Sequence, residues 1–306
     1  MRIFDLHADV SEIMKVYPEN ETAVLKKDWV SKWNKGEILY TSAASFFAGD
    51  ESWETMVKTV ERVKKDIEDS HIPVITASED LNENSDSVAC IMTVEGMCGI
   101  DKDVEERIQW LYDQGNRIGS LEWNDENALA TGNSGDPRRG LTEMGKQAIR
   151  KMNDLHFIVD VSHANEKTFW DILETSSLPV IATHSNAKRC CFVERNLTDQ
   201  QLRALALKGG LVGLNACASF INEDKSKQDA LHLAKHAAYI AKLVGVEHVA
   251  VGFDLGEYYN NKDSHNLHSP LDAQNFIEGL KEVGFNEEEI KDIAYRNVFR
   301  FLQKYM

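Results

Sequence analysis

The chain has 306 residues, 42% hydrophobic and 27% charged, the balance of an ordinary soluble globular protein. A formal net charge of −16 excludes the basic patches that nucleic acids and anionic membranes require, and implies a well-solvated acidic surface. The five cysteines (Cys90, Cys98, Cys190, Cys191, Cys217) form neither a disulfide framework nor a CxxC zinc site. We read them as buried thiols in a reducing compartment. No basic and apolar leader precedes the first strand, and no run approaches the roughly 18 apolar residues of a membrane span, so a cytoplasmic location is expected.

Apolar runs of strand length alternate with amphipathic stretches of helix length along the chain. The predicted order is strand 3–7, strand 39–47, helix 51–69, an extra segment around 72–81, strand 88–94 and helix 104–114. Strand 117–122, helix 142–155, strand 157–161, helix 166–174, strand 180–183 and helix 198–207 follow. Strand 210–215, helix 229–244, strand 248–253 and a final helix over 286–304 complete it. Thr142, Thr198 and Asn286 stand as helix caps, Asn286 with Glu289 three positions on. Continuous apolar strands joined by helices indicate a parallel sheet covered on both faces. Eight such units predict an α/β fold, a (β/α)8 barrel with a C-terminal helix, formed as one domain over 1–306. An open doubly wound sheet is disfavoured because no GxGxxG turn follows a strand.

A barrel of this kind carries its chemistry at the C-terminal ends of its strands. There the chain places His7 and Asp9, Glu95, His163, His184 and Asp254. His7 and Asp9 lie two apart, on one face of a strand. Imidazole and carboxylate are ligands for first-row divalent metals, and one carboxylate can bridge two ions. Two ions about 3.5–4 Å apart can activate water and polarise a scissile carbonyl, while Asp254 can carry the proton. Each residue alone could be an ordinary strand end; five strand ends of the right type together read as a metal site. His232 and His236, spaced i, i+4 on an outer helix but without the Glu of HExxH, read as surface residues. His265 and His268, in the polar loop after the last strand, could line a lid, but loop histidines are usually solvated and they read as such. Cys190 and Cys191 read as packing.

The order His7-x-Asp9, Val94-Glu95-Gly96, Asp160-Val161-Ser162-His163 and Thr183-His184-Ser185-Asn186-Ala187 resembles the renal (membrane) dipeptidase family. Arg195-Asn196-Leu197-Thr198-Asp199 and Gly252-Phe253-Asp254 match as well. The resemblance spans essentially the whole chain and is densest over 141–215. It implies an amidohydrolase-type barrel holding two zinc ions, with His7, Asp9 and Glu95 on the first. Glu95, His163 and His184 would hold the second, Arg195 the substrate carboxylate, and Asp254 would be the acid/base. The resemblance also leaves room for a homodimer, since members often form dimers, although the sequence itself does not show the oligomeric state. Where many members carry Leu-Thr-His-Asn, this chain has Leu121-Glu122-Trp123-Asn124, so Trp123 stands at a substrate-contacting position. A second Asp often found two residues past Asp254 is replaced by Gly256.

The expected activity is therefore hydrolysis of dipeptides with a free C-terminal carboxylate, with room for D-residues on that side. The rivals are a metal-dependent hydrolase of another amide, ester or lactam, and a metal-binding protein without turnover.

Overall fold

The computed structural model describes residues 1–255 and 265–306. Gly256 and part of the loop after residue 254 lie outside that set. Seven parallel strands make one sheet: β1 (Ile3–Ala8), β2 (Ile38–Phe46), β3 (Ala89–Glu95), β4 (Asn116–Ser120), β5 (Ile158–Val159), β6 (Val212–Leu214) and β7 (Val249–Val251). Their order is β5-β4-β3-β2-β1-β7-β6, which leaves β5 and β6 at the two ends.

The segment 180–183, expected as an eighth strand, joins those ends without being a regular strand. Val161 N–H donates to the Ile181 carbonyl at 2.8 Å, and Ala182 N–H to the Leu211 carbonyl at 2.9 Å. Only single bridges result, Asp160 to Ile181 and Ala182 to Val212. The ladder stops because the Thr183 N–H donates instead to the Asp160 side chain, at 2.9 Å. The Thr183 carbonyl then lies against Gly213 of β6 and Gly252, just past β7. A Cβ on Gly213 would sit 1.9 Å from that oxygen, and one on Gly252 1.7 Å from it, so only glycine fits at either position. The fold is the expected (β/α)8 barrel, with seven regular strands and one irregular stave.

Helices α1 (Val10–Lys15) and α2 (Val30–Lys35) precede β2, and α3 (Trp53–Asp69) and α4 (Val104–Asp113) flank β3. Helix α5 (Glu143–Asp154) precedes β5, α6 (Glu166–Thr175) follows it, and α7 (Asp199–Leu207) leads to β6. Helices α8 (Ala218–Ile221) and α9 (Ala230–Val244) lead to β7. Helices α10 (Ala273–Glu282), α11 (Glu287–Lys291) and α12 (Asn297–Tyr305) close the chain. The predicted caps act as such: Thr142 accepts from Gly145 N–H, and Thr198 and Asn286 form capping boxes with Gln201 and Glu289. The expected helix over 286–304 is present and runs without a gap, with one π-helical turn at Asp292–Arg296 between α11 and α12.

That π-turn sets α12 across the bottom of the barrel. Phe299 meets Phe4 and Tyr40 edge-on, at centroid distances of 6.0 and 4.9 Å. Behind them Leu6, Ile91, Ile118, Ile158 and Ile181 fill the interior. Burying an aromatic side chain of this kind is worth roughly 1.5–3 kcal/mol, so the N-terminal end is sealed. Only the opposite end is left open for chemistry.

One expectation fails on α9. His236 is not a surface residue: it is 1% exposed, because it shares the inward stripe of Leu233, Ala237 and Ile240. Its Nδ1 accepts from Ala187 N–H at 3.2 Å, and its Nε2–H donates to the Ile221 carbonyl at 2.8 Å. The neutral ring thus ties the loop after His184 to α8. Burial pushes its pKa down to about 4. Below pH 6.5 the unfolded chain takes up a proton that the folded chain refuses. Stability held above pH 6.5 is therefore lost as pH falls toward 4, reaching about 2 kcal/mol by pH 5. Urea unfolding at pH 7 and pH 5 should show a stability drop larger in the wild type than in His236→Gln by about that amount.

Candidate metal centre and active site

The open end of the barrel collects the six predicted strand-end residues. His7, at the end of β1, has its Nε2 3.2 Å from Asp9 Oδ1 and 3.2 Å from Glu95 Oε2. Glu95 Oε1 faces the other way, 2.8 Å from His163 Nε2 and 3.3 Å from His184 Nε2. The two latter ring nitrogens are 2.9 Å apart. Asp254 groups with His7 and Asp9, their nearest ligand atoms all within 4.8 Å of one another. Its Oδ2 accepts from Asn215 Nδ2 at 3.0 Å. His163 and Asp254 take φ values of 70° and 55°, a left-handed backbone that non-glycine residues adopt at a cost. That strain turns both side chains into the mouth.

Hydrogen bonds assign the tautomers. His163 Nδ1–H donates to Asn124 Oδ1 at 2.9 Å. The Thr183 hydroxyl gives its one proton to Asp160 Oδ2, so its oxygen accepts from His184 Nδ1–H, at 2.8 Å. Asp160 is locked in turn by the Ser162 and Thr183 N–H groups, each 2.9 Å from Oδ1. With both Nδ1 protons spent, the two Nε2 lone pairs and Glu95 Oε1 converge on one small region. Three lone pairs in mutual contact repel unless a cation stands among them, and this donor set is one that zinc accepts.

The charges agree. Burial, with Asp9 and Asp254 adding like charge against the opposing pull of His7, pushes Glu95 up to about 8. Burial chiefly raises Asp254 to about 6. Burial works against a charged His7, yet the Glu95 and Asp9 carboxylates hold its pKa well above the ordinary value. Burial keeps His163 and His184 well below theirs. Three buried carboxylates in one nest keep their charge only opposite positive charge. The residues fit a divalent metal pair, with Glu95 between the two positions.

A cavity of about 220 Å³ opens over this cluster. Asp9, Glu95, His163 and Asp254 line its floor, and Phe46, Trp123, Phe220, Leu255 and Leu267 its apolar walls. Trp123 packs edge-on against Phe46 at 5.2 Å and lies 5.9 Å from the His163 ring. Its neighbour Glu122 is fully buried, and neither carboxyl oxygen has a hydrogen bond. Burial and the nearby Asp160 hold it well above the usual carboxylate range.

Arg195 is placed differently from the other predicted residues. It is buried beside His184, donating to Ser185 Oγ and to the His184 carbonyl, both at 2.9 Å. It lines a smaller adjoining cavity of about 150 Å³ that shares His163 with the first. Burial lowers its pKa, with Asp254 and Glu95 opposing, and its Nε has no partner.

The supporting roles of Asn124, Asp160, Thr183 and Asn215 are not legible in the sequence. Three lie inside the motifs and Asn215 at a strand end, so position beside a ligand was the available signal. Phe46 carried no signal of its own, and of the two readings open for His268 the merely solvated one fails: it lines the main cavity. His265 bonds outward to the Lys225 carbonyl, at 2.6 Å.

The sealed barrel with buried imidazoles and carboxylates at its open mouth defines the class of metal-dependent hydrolases. The match to the family described as membrane dipeptidase, peptidase family M19, runs over residues 32–305, and the chain belongs to that family of metallo-dipeptidases. An uncharacterized protein in the pqqA 5′ region of Klebsiella pneumoniae is 33% identical over 225 residues, covering 71% of this chain and 82% of its own. An uncharacterized dipeptidase of Schizosaccharomyces pombe is 35% identical over 177 residues, 56% of this chain and 42% of that one. A metallo peptidase of Rhodobacter sphaeroides, solved with a phosphinate mimic of the dipeptide L-Ala-D-Ala, superposes with a TM-score of 0.88. It is 21% identical, over 100% of this chain and 99% of that one. Among the described residues, no helix is long and apolar enough to cross a membrane.

Thr183→Val removes the acceptor that orients His184 and should weaken metal binding about 10–100-fold. Thr183→Ser keeps the hydroxyl and should bind as the wild type does, in competition against a zinc chelator.

Proposed function

We propose that this protein is a dinuclear zinc dipeptidase, acting on dipeptides with a free C-terminal carboxylate and accepting D-residues on that side. The observation that carries the reading is Glu95, whose two carboxylate oxygens face separate imidazole sets with Asp254 beside them. His7, Asp9 and Glu95 would hold one ion and Glu95, His163 and His184 the other. When bound, the metals supply an activated water and an electrophile for the scissile carbonyl. Asp254, raised toward neutrality and fixed by Asn215, takes a proton at Oδ1 or Oδ2 and hands it to the leaving amine. Phe46 and Trp123 exclude water beside the peptide, and the Trp123 indole N–H is a donor toward its carbonyl. Arg195, charged and with an unspent Nε–H, supplies the anion pole for the substrate carboxylate. Five free thiols suit a reducing, cytoplasmic compartment.

A second reading has a specific observation behind it: Arg195 lines the smaller cavity and, among the described residues, no Arg or Lys lines the larger one. That favours a neutral amide, ester or lactam. Free-acid and C-terminally amidated dipeptides separate the two. The dipeptidase reading expects the amide to be cleaved far more slowly, and Arg195→Met to erase the difference at unchanged zinc content. Equal cleavage of both by the wild type would favour the neutral substrate.

Asp254→Asn should retain two equivalents of zinc while its turnover number drops by at least ~10²-fold. Near-normal turnover in the fully metallated variant would remove Asp254 from the proton transfer.

A further inference from the structure

A dipeptide in the main cavity brings carbonyl and carboxylate oxygens that need donors, and most of the floor offers only acceptors. Cys217 is engaged with Ser219. Among the described residues, three lining side chains outside the metal cluster carry a donor with no hydrogen bond to protein: the Trp123 indole, the His268 imidazole and the Nδ2 amide of Asn124, whose Oδ1 is held by His163. His268 is unusual among the ten histidines. Eight have a ring nitrogen bonded to protein, and His71, the other exception, is exposed on a distant turn.

The His268 backbone is nevertheless held firmly. Its N–H and that of Ser269 both donate to Asp272 Oδ2, at 3.0 and 3.1 Å. Ser269 caps the turn Pro270–Asp272, and Leu267 on the other side is 1% exposed. The ring is thus presented to the cavity from an anchored segment, while its own nitrogens are left for something else. It enters on the connection that leaves β7 after Asp254. The same cavity is lined by Phe220, whose ring lies 5.9 Å from the Arg195 guanidinium carbon.

From this geometry we infer that His268 is a substrate-contacting residue, hydrogen-bonding the leaving, C-terminal residue of the bound dipeptide. The inference rests on the dipeptidase reading and adds a specificity contact to it. An imidazole both donates and accepts, so it suits the carboxylate of that residue or a polar side chain there. It stands outside the metal cluster, so its loss leaves the metals in place.

The test uses the zinc-loaded full chain. Calorimetry would measure the affinity of a phosphinate dipeptide mimic for wild type, His268→Ala and His268→Gln, with zinc content and dipeptide kinetics beside it. His268→Ala should bind the mimic about 10-fold more weakly, the loss of roughly one hydrogen bond to a charged group. It should also raise KM more than it lowers kcat, at two equivalents of zinc. His268→Gln, which keeps a donor and an acceptor, should recover part of the affinity. Unchanged affinity and KM in His268→Ala, with an active wild type, would overturn the contact and leave the dipeptidase reading standing. A wild type that neither binds the mimic nor cleaves dipeptides would overturn both.

Discussion

The structure depends on one arrangement, a buried carboxylate caught between three imidazoles. Glu95 sits at the end of β3, in the middle of the closed sheet, and its two oxygens reach histidines from β1, from the end of β5 and from the irregular stave. Such a group is unfavourable in an apolar interior without compensating charge. Much else in the barrel serves to hold it there. Asp160 and Thr183 fix one imidazole and Asn124 another, so each Nε2 lone pair points inward. The nest is built for cations before any substrate arrives.

The irregular stave is part of the same arrangement. A regular strand at 180–183 would spend the Thr183 N–H on a neighbouring carbonyl. Here the Asp160 side chain takes it, and Gly213 and Gly252 make room for the displaced Thr183 carbonyl. The barrel gives up ladder hydrogen bonds at one stave and gains a rigid mount for His184. Strained backbones at His163 and Asp254 belong to the same pattern, since both aim a functional side chain into the mouth. At the other end, α12 and the aromatic group of Phe4, Tyr40 and Phe299 carry ordinary packing. Stability and chemistry are thus divided between the two ends of the barrel.

The cavity above the carboxylate and imidazole cluster has two characters. Its floor is acidic and its walls are aromatic and aliphatic, so a small ligand there would meet polar groups at only a few points. Trp123 contributes bulk and a single N–H where an imidazole would contribute less volume and a choice of donor or acceptor. Arg195 stands behind the wall, half committed to the backbone of His184 and the hydroxyl of Ser185. Its charge is felt by Glu95 and Asp254 whether or not it touches substrate.

Sequence alone determined the alternation of strands and helices, the caps at Thr142, Thr198 and Asn286, and the strand-end positions of His7, Asp9, Glu95, His163, His184 and Asp254. These follow from local rules: side-chain periodicity, capping chemistry, and the habit of parallel barrels to gather their strand ends in one place. The tertiary structure alone decided which oxygen of Glu95 faces which histidine, and which ring nitrogens keep their lone pairs. It also decided that residues 180–183 leave the ladder and that His236 lies inside. The same holds for Arg195 standing behind the cavity and His268 within it. Each of these depends on distances between residues far apart in the chain, and local pattern carries no information about such distances until the barrel closes.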